Sequence, residues 1–138
     1  MKTIKARRTS ELNEIVDLLH DLRFDLDLVQ NINGTVTIPF SVPLHDSITL
    51  GKRGFLLRPY SIPVVATTLT VGNVISVAIK DTERVGFYDF NIFRFDEKRC
   101  RLVIKTGIPL SFEINVGTLE VTLELSDEVV DVVKGYCL

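Results

Sequence analysis

From position 111 the chain reads Ser111-Phe112-Glu113-Ile114-Asn115-Val116-Gly117-Thr118-Leu119-Glu120-Val121-Thr122-Leu123-Glu124-Leu125. Phe112, Ile114 and Val116 alternate with Glu113 and Asn115. After Gly117-Thr118, Leu119, Val121, Leu123 and Leu125 alternate with Glu120, Thr122 and Glu124. A period of two sends apolar groups to one side of an extended chain and polar groups to the other. The stretch predicts two half-buried strands around a tight turn. Strands this close in sequence pair antiparallel, because parallel neighbours need a crossover of about a dozen residues.

The same grammar extends upstream. Phe24, Leu26 and Leu28 alternate with Asp25 and Asp27, and Val36, Ile38 and Phe40 with Thr35, Thr37 and Pro39. Asn33-Gly34 between them predicts a hairpin turn. Residues 64–71 and 74–80 read as strands around Gly72-Asn73, with Ile75, Val77 and Ile79 facing in. Residues 85–95 form an aromatic-rich strand whose apolar side chains change face, which predicts a bulge or burial on both sides. Asp96-Glu97-Lys98-Arg99 is a polar turn into a strand over 100–106. One helix stands out over 11–22, with Ser10 as its N-cap and Leu12, Ile15, Val16 and Leu19 along one stripe.

Composition agrees: 17 Val, 12 Ile and 12 Thr stand against three Ala, and branching at Cβ favours pleated sheet over helix. A helix of twelve residues, about 18 Å long, covers only three or four strands. The expected fold is a single α+β domain over 1–138, mostly antiparallel β. Its N-terminal helix packs on a curled sheet, an open barrel or a sandwich. Residues 1–9 are expected as a flexible tail. Residues 41–63 hold Pro43, Pro59 and Pro63, with Pro39 just before them, and are expected as an irregular excursion with short edge strands near 46–50 and 55–61. Residues 126–135 carry two signals. Ser126-Asp127-Glu128 resembles a helix start and Gly135 a stop, whereas Val129, Val130, Val132 and Val133 favour strand. The expectation is a short helical turn.

With 138 residues, 46% hydrophobic, the chain can bury a full core without metal or disulfide staples. Sixteen basic and 18 acidic residues give a net charge of −2, against the basic face that nucleic-acid binding needs. No stretch approaches the roughly 18 apolar residues of a membrane-spanning helix. Glu11, Asn13, Glu14 and Asp17 interrupt any secretory signal. Cys100 and Cys137 do not make a disulfide framework. A cytoplasmic protein without cofactors, nucleic-acid partner or membrane contact is expected.

Chemistry-bearing residues are few. His20-Asp21 and His45-Asp46, with Asp25 and Asp27, could share a proton or hold a metal, but no ligand spacing such as HExxH or CxxC is present, and no metal site is predicted. The alternative is a solvated strand face and a polar helix end. Lys52, Arg53 and Arg58 with Gly51 and Gly54 could hold an anion, although the P-loop pattern is absent. Phe55, Leu56, Leu57 and Tyr60 beside them form an apolar run on a broken segment, either tucked into the fold or exposed as a contact patch for a partner. Phe87 and Asp89 could line a pocket, or Asp89 could pair with Arg84 or Arg94. Cys100 is expected as a small buried filler.

At His20-Asp21-Leu22-Arg23-Phe24-Asp25, Gly34-Thr35-Val36-Thr37-Ile38-Pro39-Phe40 and Asp81-Thr82-Glu83-Arg84-Val85-Gly86-Phe87-Tyr88-Asp89 the chain resembles small bacterial proteins of unknown function, and more distantly immunity proteins of bacterial toxin systems. The resemblance implies a bacterial, cytoplasmic domain and assigns no catalytic residue. The leading functional expectation is a non-enzymatic protein-interaction module, with a protein partner or a second copy of the chain bound at an edge strand or at 52–60. The alternatives are a small metal-dependent or acid–base enzyme using His20, Asp25 and His45, or a small-ligand carrier with a pocket in the sheet.

Overall fold

The structure, a computed structural model, describes residues 2–107 and 110–137. Among these the strands are β1 (Lys2–Ala6), β2 (Arg23–Asp25), β3 (Gln30–Ile32), β4 (Thr35–Pro43), β5 (Thr49–Leu50), β6 (Arg58–Val71), β7 (Val74–Asp81), β8 (Phe87–Asp89), β9 (Ile92–Asp96), β10 (Arg101–Lys105), β11 (Leu110–Val116) and β12 (Val121–Cys137). The larger sheet runs β1-β12-β6-β4-β2-β8, with β3 beside β4 and β5 beside β6. The smaller runs β7-β11-β10-β9. Every pairing is antiparallel, and the sheets stay open rather than closing into a barrel. The one α-helix among the described residues, α1 (Thr9–Leu19), buries Leu12, Ile15 and Leu19 in the common core.

The alternation in 111–125 emerges as read. Phe112, Ile114, Val116, Val121, Leu123 and Leu125 are buried, whereas Glu124 is exposed. The turn between them does something different from a hairpin. β11 belongs to the smaller sheet and β12 to the larger, so Gly117-Thr118 carries the chain from one layer to the other. Gly72-Asn73 does the same between β6 and β7. Each layer must cover its apolar face with the other, and these corners deliver the strands that do so. The two corners are fastened together. Gly117 N–H donates to Asn73 O and Gly72 N–H to Glu120 O, both at 2.9 Å, and the Asn73 amide donates to Thr118 Oγ1 at 2.8 Å. Asn33 and Gly34, with φ of 52° and 75°, do form a left-handed two-residue turn, joining β3 to β4.

The expected strand over 85–95 also divides between layers, into β8 and β9, around the buried Phe90. The Phe90 ring lies 4.7 Å from that of Phe24 and 5.2 Å from that of Phe40, so the change of face places aromatics between the sheets. Ile75 and Ile79, expected inside, are exposed, and Val77 is half-buried. A bulge between Asn115 and Val116 in the β11 register turns Val74 to the core instead. Asp25 and Asp27 shorten the first strand. The Asp25 carboxylate accepts from Asp27 N–H at 3.0 Å and starts a 3-10 turn over Leu26–Leu28, the competition that short polar side chains offer to extended backbone.

Four further expectations are corrected. Residues 2–6 are not a flexible tail: β1 pairs with Val121–Leu125 of β12 and buries Ile4 and Ala6, a pattern too short to read against Lys2 and Lys5. Met1 lies outside the described residues. The helix begins at Thr9 after Arg8, with no side-chain cap, so Ser10 lies inside it. Irregular chain does not fill 41–63, because β4 runs to Pro43 and β6 starts at Arg58. The prolines sit where no donor is needed. Pro39 falls between the pairing of β3, which ends at Thr37, and that of β2 at Phe40. Pro63 falls between the last β4 pair at Val64 and the β5 pair at Ser61. Residues 126–135 are not helical: they belong to β12, and their valines follow β-propensity.

Candidate functional site

β12 has 17 residues, about 56 Å of extended chain. Its first five pair on one side with β1 and on the other with β6. From Ser126 onward, among the described residues, its outer side has no neighbouring strand. The register against β6 slips twice, between Leu125 and Val129 and between Val129 and Asp131, and then runs cleanly from Asp131↔Val64 to Cys137↔Arg58. The Ser126 hydroxyl makes the first slip, donating to Ala66 O at 2.8 Å and accepting from Glu128 N–H at 3.2 Å.

Among the described residues β1 has left the sheet from Ser126 on, and β4 leaves it after Pro43↔Val64, opposite Asp131. The ends of β6 and β12 continue with only the two residues of β5 beside them, as an arm. At its tip Gly51 N–H donates to Pro59 O and Gly54 N–H to Leu57 O, and Arg58 Nε donates to Gly51 O at 3.0 Å. These bonds close a hairpin with Phe55 and Leu56 at its corner. Phe55 is 96% exposed. Leu56, Leu57, Leu50, Val129, Val130, Val132, Val133 and Tyr136 are exposed as well. Monomeric proteins keep contiguous apolar patches small, and larger ones mark contact sites. Tyr60 lies across Gly135, where any Cβ would meet its ring. A cleft of about 300 Å³ opens at the tip between Thr49, Ser61, Lys134 and Tyr136.

The arm collects the second set of sequence candidates: Lys52, Arg53, Phe55 and Leu56 are exposed at the tip, and Arg58 and Tyr60 are half-buried in β6. It does not collect the first set. His20 follows the helix, exposed, with Nε2 3.6 Å from Asp21. Asp25 and Asp27 lie in the turn after β2, where the Asp25 carboxylate accepts from Asp27 N–H. His45 sits in a 3-10 turn beside a separate cleft lined by Leu18, Val42, Leu44 and Leu125. Among the described residues no three His, Cys, Asp or Glu come together as metal ligands do. Phe87 and Asp89 line a recess of about 140 Å³ with Arg23 and Tyr88, below the usual 300–1,000 Å³ of ligand pockets. Asp89 accepts from Asn91 N–H at 3.0 Å. Cys100 is exposed in the β9–β10 turn at φ 49° rather than buried.

Sequence reasoning missed two features. One is the valine-rich half of β12. Its signal was present in two Val-Val pairs around Asp131 but was outweighed by an apparent helix cap. The other is a clasp between the layers. The buried Tyr88 of β8 donates its hydroxyl proton to Asp81 at the end of β7 and accepts from Val85 N–H at 3.0 Å. Burial, and then the Asp81 carboxylate, raise the Tyr88 pKa above the ordinary tyrosine value of about 10. The clasp is internal, and the neighbouring recess is small, so it fastens the fold.

No family model, no curated protein and no solved structure matches this chain.

Proposed function

We propose that this protein is a non-enzymatic interaction module whose binding surface is the arm built from β5, the 51–57 tip and the distal halves of β6 and β12. The observation that carries the reading is the exposed apolar set on that arm, beside a strand edge that, among the described residues, lacks a neighbour from 126 to 137. Unpaired edges offer backbone donors and acceptors to another chain, and exposed apolar side chains supply the driving force. Proteins blunt such edges when they serve no contact. This edge carries bulges and the acidic residues Asp127, Glu128 and Asp131 in its first half and Lys134 farther out, yet it keeps four exposed valines and a tyrosine between and beyond them.

Photo-crosslinking tests the reading in cells that make the protein. A photoreactive amino acid at position 55 or 132 should yield covalent protein adducts, and one at the exposed position 98, in the β9–β10 turn, should not. No adduct from either arm position, or equal adducts from position 98, overturns it.

A further inference from the structure

We propose that the partner of the arm is a second copy of this chain, laid antiparallel about a two-fold axis so that the tip of each arm meets the base of the other. The inference rests on the arm being the interaction surface, and it names what covers that surface.

The arm is electrically polarised along its length. Its base carries Asp127 and Glu128 and its middle Asp131, all exposed. Its tip carries Lys52, Arg53, Arg58 and Lys134, and no acidic residue occurs in 47–63 or 132–137. Glu128 and Lys134 are six residues apart, about 20 Å along a strand, beyond the roughly 8 Å screening length at physiological salt. The two ends therefore do little to neutralise each other within one chain. An antiparallel copy neutralises both ends at once, because a two-fold contact uses the same patch twice. A parallel copy would set Lys134 against Lys134 and Glu128 against Glu128. The middle of the arm holds Val129, Val130, Val132 and Val133 around Asp131, so the same arrangement sets valine against valine on either side of the two Asp131 side chains at the axis. The cleft at the tip, lined by Lys134, Thr49 and Ser61 among others, is placed to receive the partner's carboxylates.

Size sets the expected strength. Twelve residues of strand by two strands of width give about 40 Å by 10 Å. That is about 400 Å² in plan, about half of the roughly 800 Å² per partner of a standard stable interface. The dimer should be concentration-dependent, with dissociation in the micromolar range.

Sedimentation and light scattering of the full chain across that range test the proposal, with two charge-reversed variants. One reverses the tip (Lys52→Glu, Arg53→Glu, Lys134→Glu) and the other the base and middle (Glu128→Lys, Asp131→Lys). All five positions are exposed, and circular dichroism checks that each variant folds. The wild type should dimerise. Each variant alone should weaken dimerisation at least ten-fold, and an equimolar mixture of the two should recover a one-to-one heterodimer. A wild type that stays monomeric overturns the proposal, as does a dimer indifferent to both variants or a mixture that stays monomeric. Co-sedimentation of a monomeric wild type with phosphatidylserine vesicles would assign the basic, apolar tip to a lipid surface instead. If position 132 cross-links to a different protein while the wild type stays monomeric, the two-fold pairing fails and the interaction reading survives. If neither 55 nor 132 cross-links, the interaction reading itself fails.

Discussion

The two halves of β12 make opposite use of the same local structure. In Val121–Leu125 every second side chain is buried and both edges are paired, with β1 and with β6. In 127–136 no side chain is buried and, among the described residues, one edge has no neighbouring strand. The backbone is extended in both and β-branched residues abound in both. What differs is the number of layers. The first half lies over the smaller sheet and contributes to the shared core, and the second runs past it. Propensity makes a strand, and only a facing layer makes it stabilising. A strand that continues beyond its facing layer is therefore open to another use.

That contrast has its largest consequence at Leu123, which is 1% exposed. Leu123→Ala should cost about 2–5 kcal/mol, the usual range for emptying a close-packed core site. Denaturant unfolding checks this, with a lower midpoint and an unchanged slope. A cost below about 1 kcal/mol would mean that the first half of β12 is not the core strand its burial indicates.

The next effect tests how the two layers are held together. Tyr88→Phe keeps the buried ring but removes the hydroxyl, which leaves Val85 N–H without that acceptor and Asp81 without that donor. The expected loss is about 1–3 kcal/mol. The clasp also fixes a pH dependence. The folded pKa of Tyr88 lies above the unfolded value, so its contribution is fully present below about pH 10 and disappears as pH rises through the folded value. Wild type should lose stability faster than Tyr88→Phe above about pH 10, and the two curves should run parallel between pH 6 and 9. Chemical denaturation at a series of pH values reads both.

Much of the body was legible in the sequence, because strand alternation and the helical stripe are local consequences of burial. Phe112, Ile114, Val121 and Leu123 could be placed inside from spacing alone. Their sheet could not. Gly72-Asn73 and Gly117-Thr118 have the same turn chemistry whether the chain reverses into its own sheet or crosses to the other, and that choice depends on residues far away in sequence. Ser126 is the more instructive failure. The feature that resembled a helix cap, a hydroxyl two residues before an N–H it can accept from, is a real hydrogen bond here. It shapes a bulge instead of a cap, since the valines after it prefer the strand. Of the candidate surface, Phe55 and Leu56 could be found as an apolar run on a broken segment, but the distal valines stayed hidden behind that misread bond. His20, Asp25 and His45 are chemically suggestive types that the fold does not gather into a metal-binding group.

Ser126 marks where body becomes arm. Ser126→Ala removes the bond to Ala66 O and the acceptor for Glu128 N–H, and should cost about 0.5–1.5 kcal/mol. Hydrogen exchange should rise in 126–131 and remain unchanged in 121–125. If protection fell equally along the whole strand, the bulge would be part of one continuous element and the division between body and arm would be wrong.

The smallest effect on folding, and the most pointed, belongs to Val130. It falls at the second register slip, has no residue opposite it in β6 and is exposed. Val130→Ser at low protein concentration should change stability by no more than about 0.5 kcal/mol, as for other exposed positions without special contacts. Concentration should separate the proteins. A contact made only by the folded chain adds stability by mass action, so the wild-type melting temperature should climb with concentration, and that of Val130→Ser should climb less. A substitution that is silent in the monomer and costly in the dimer places the role of this residue between molecules. If Val130→Ser lowers the melting temperature equally at every concentration, the distal half of β12 serves the fold after all, and the contrast with Val121–Leu125 disappears.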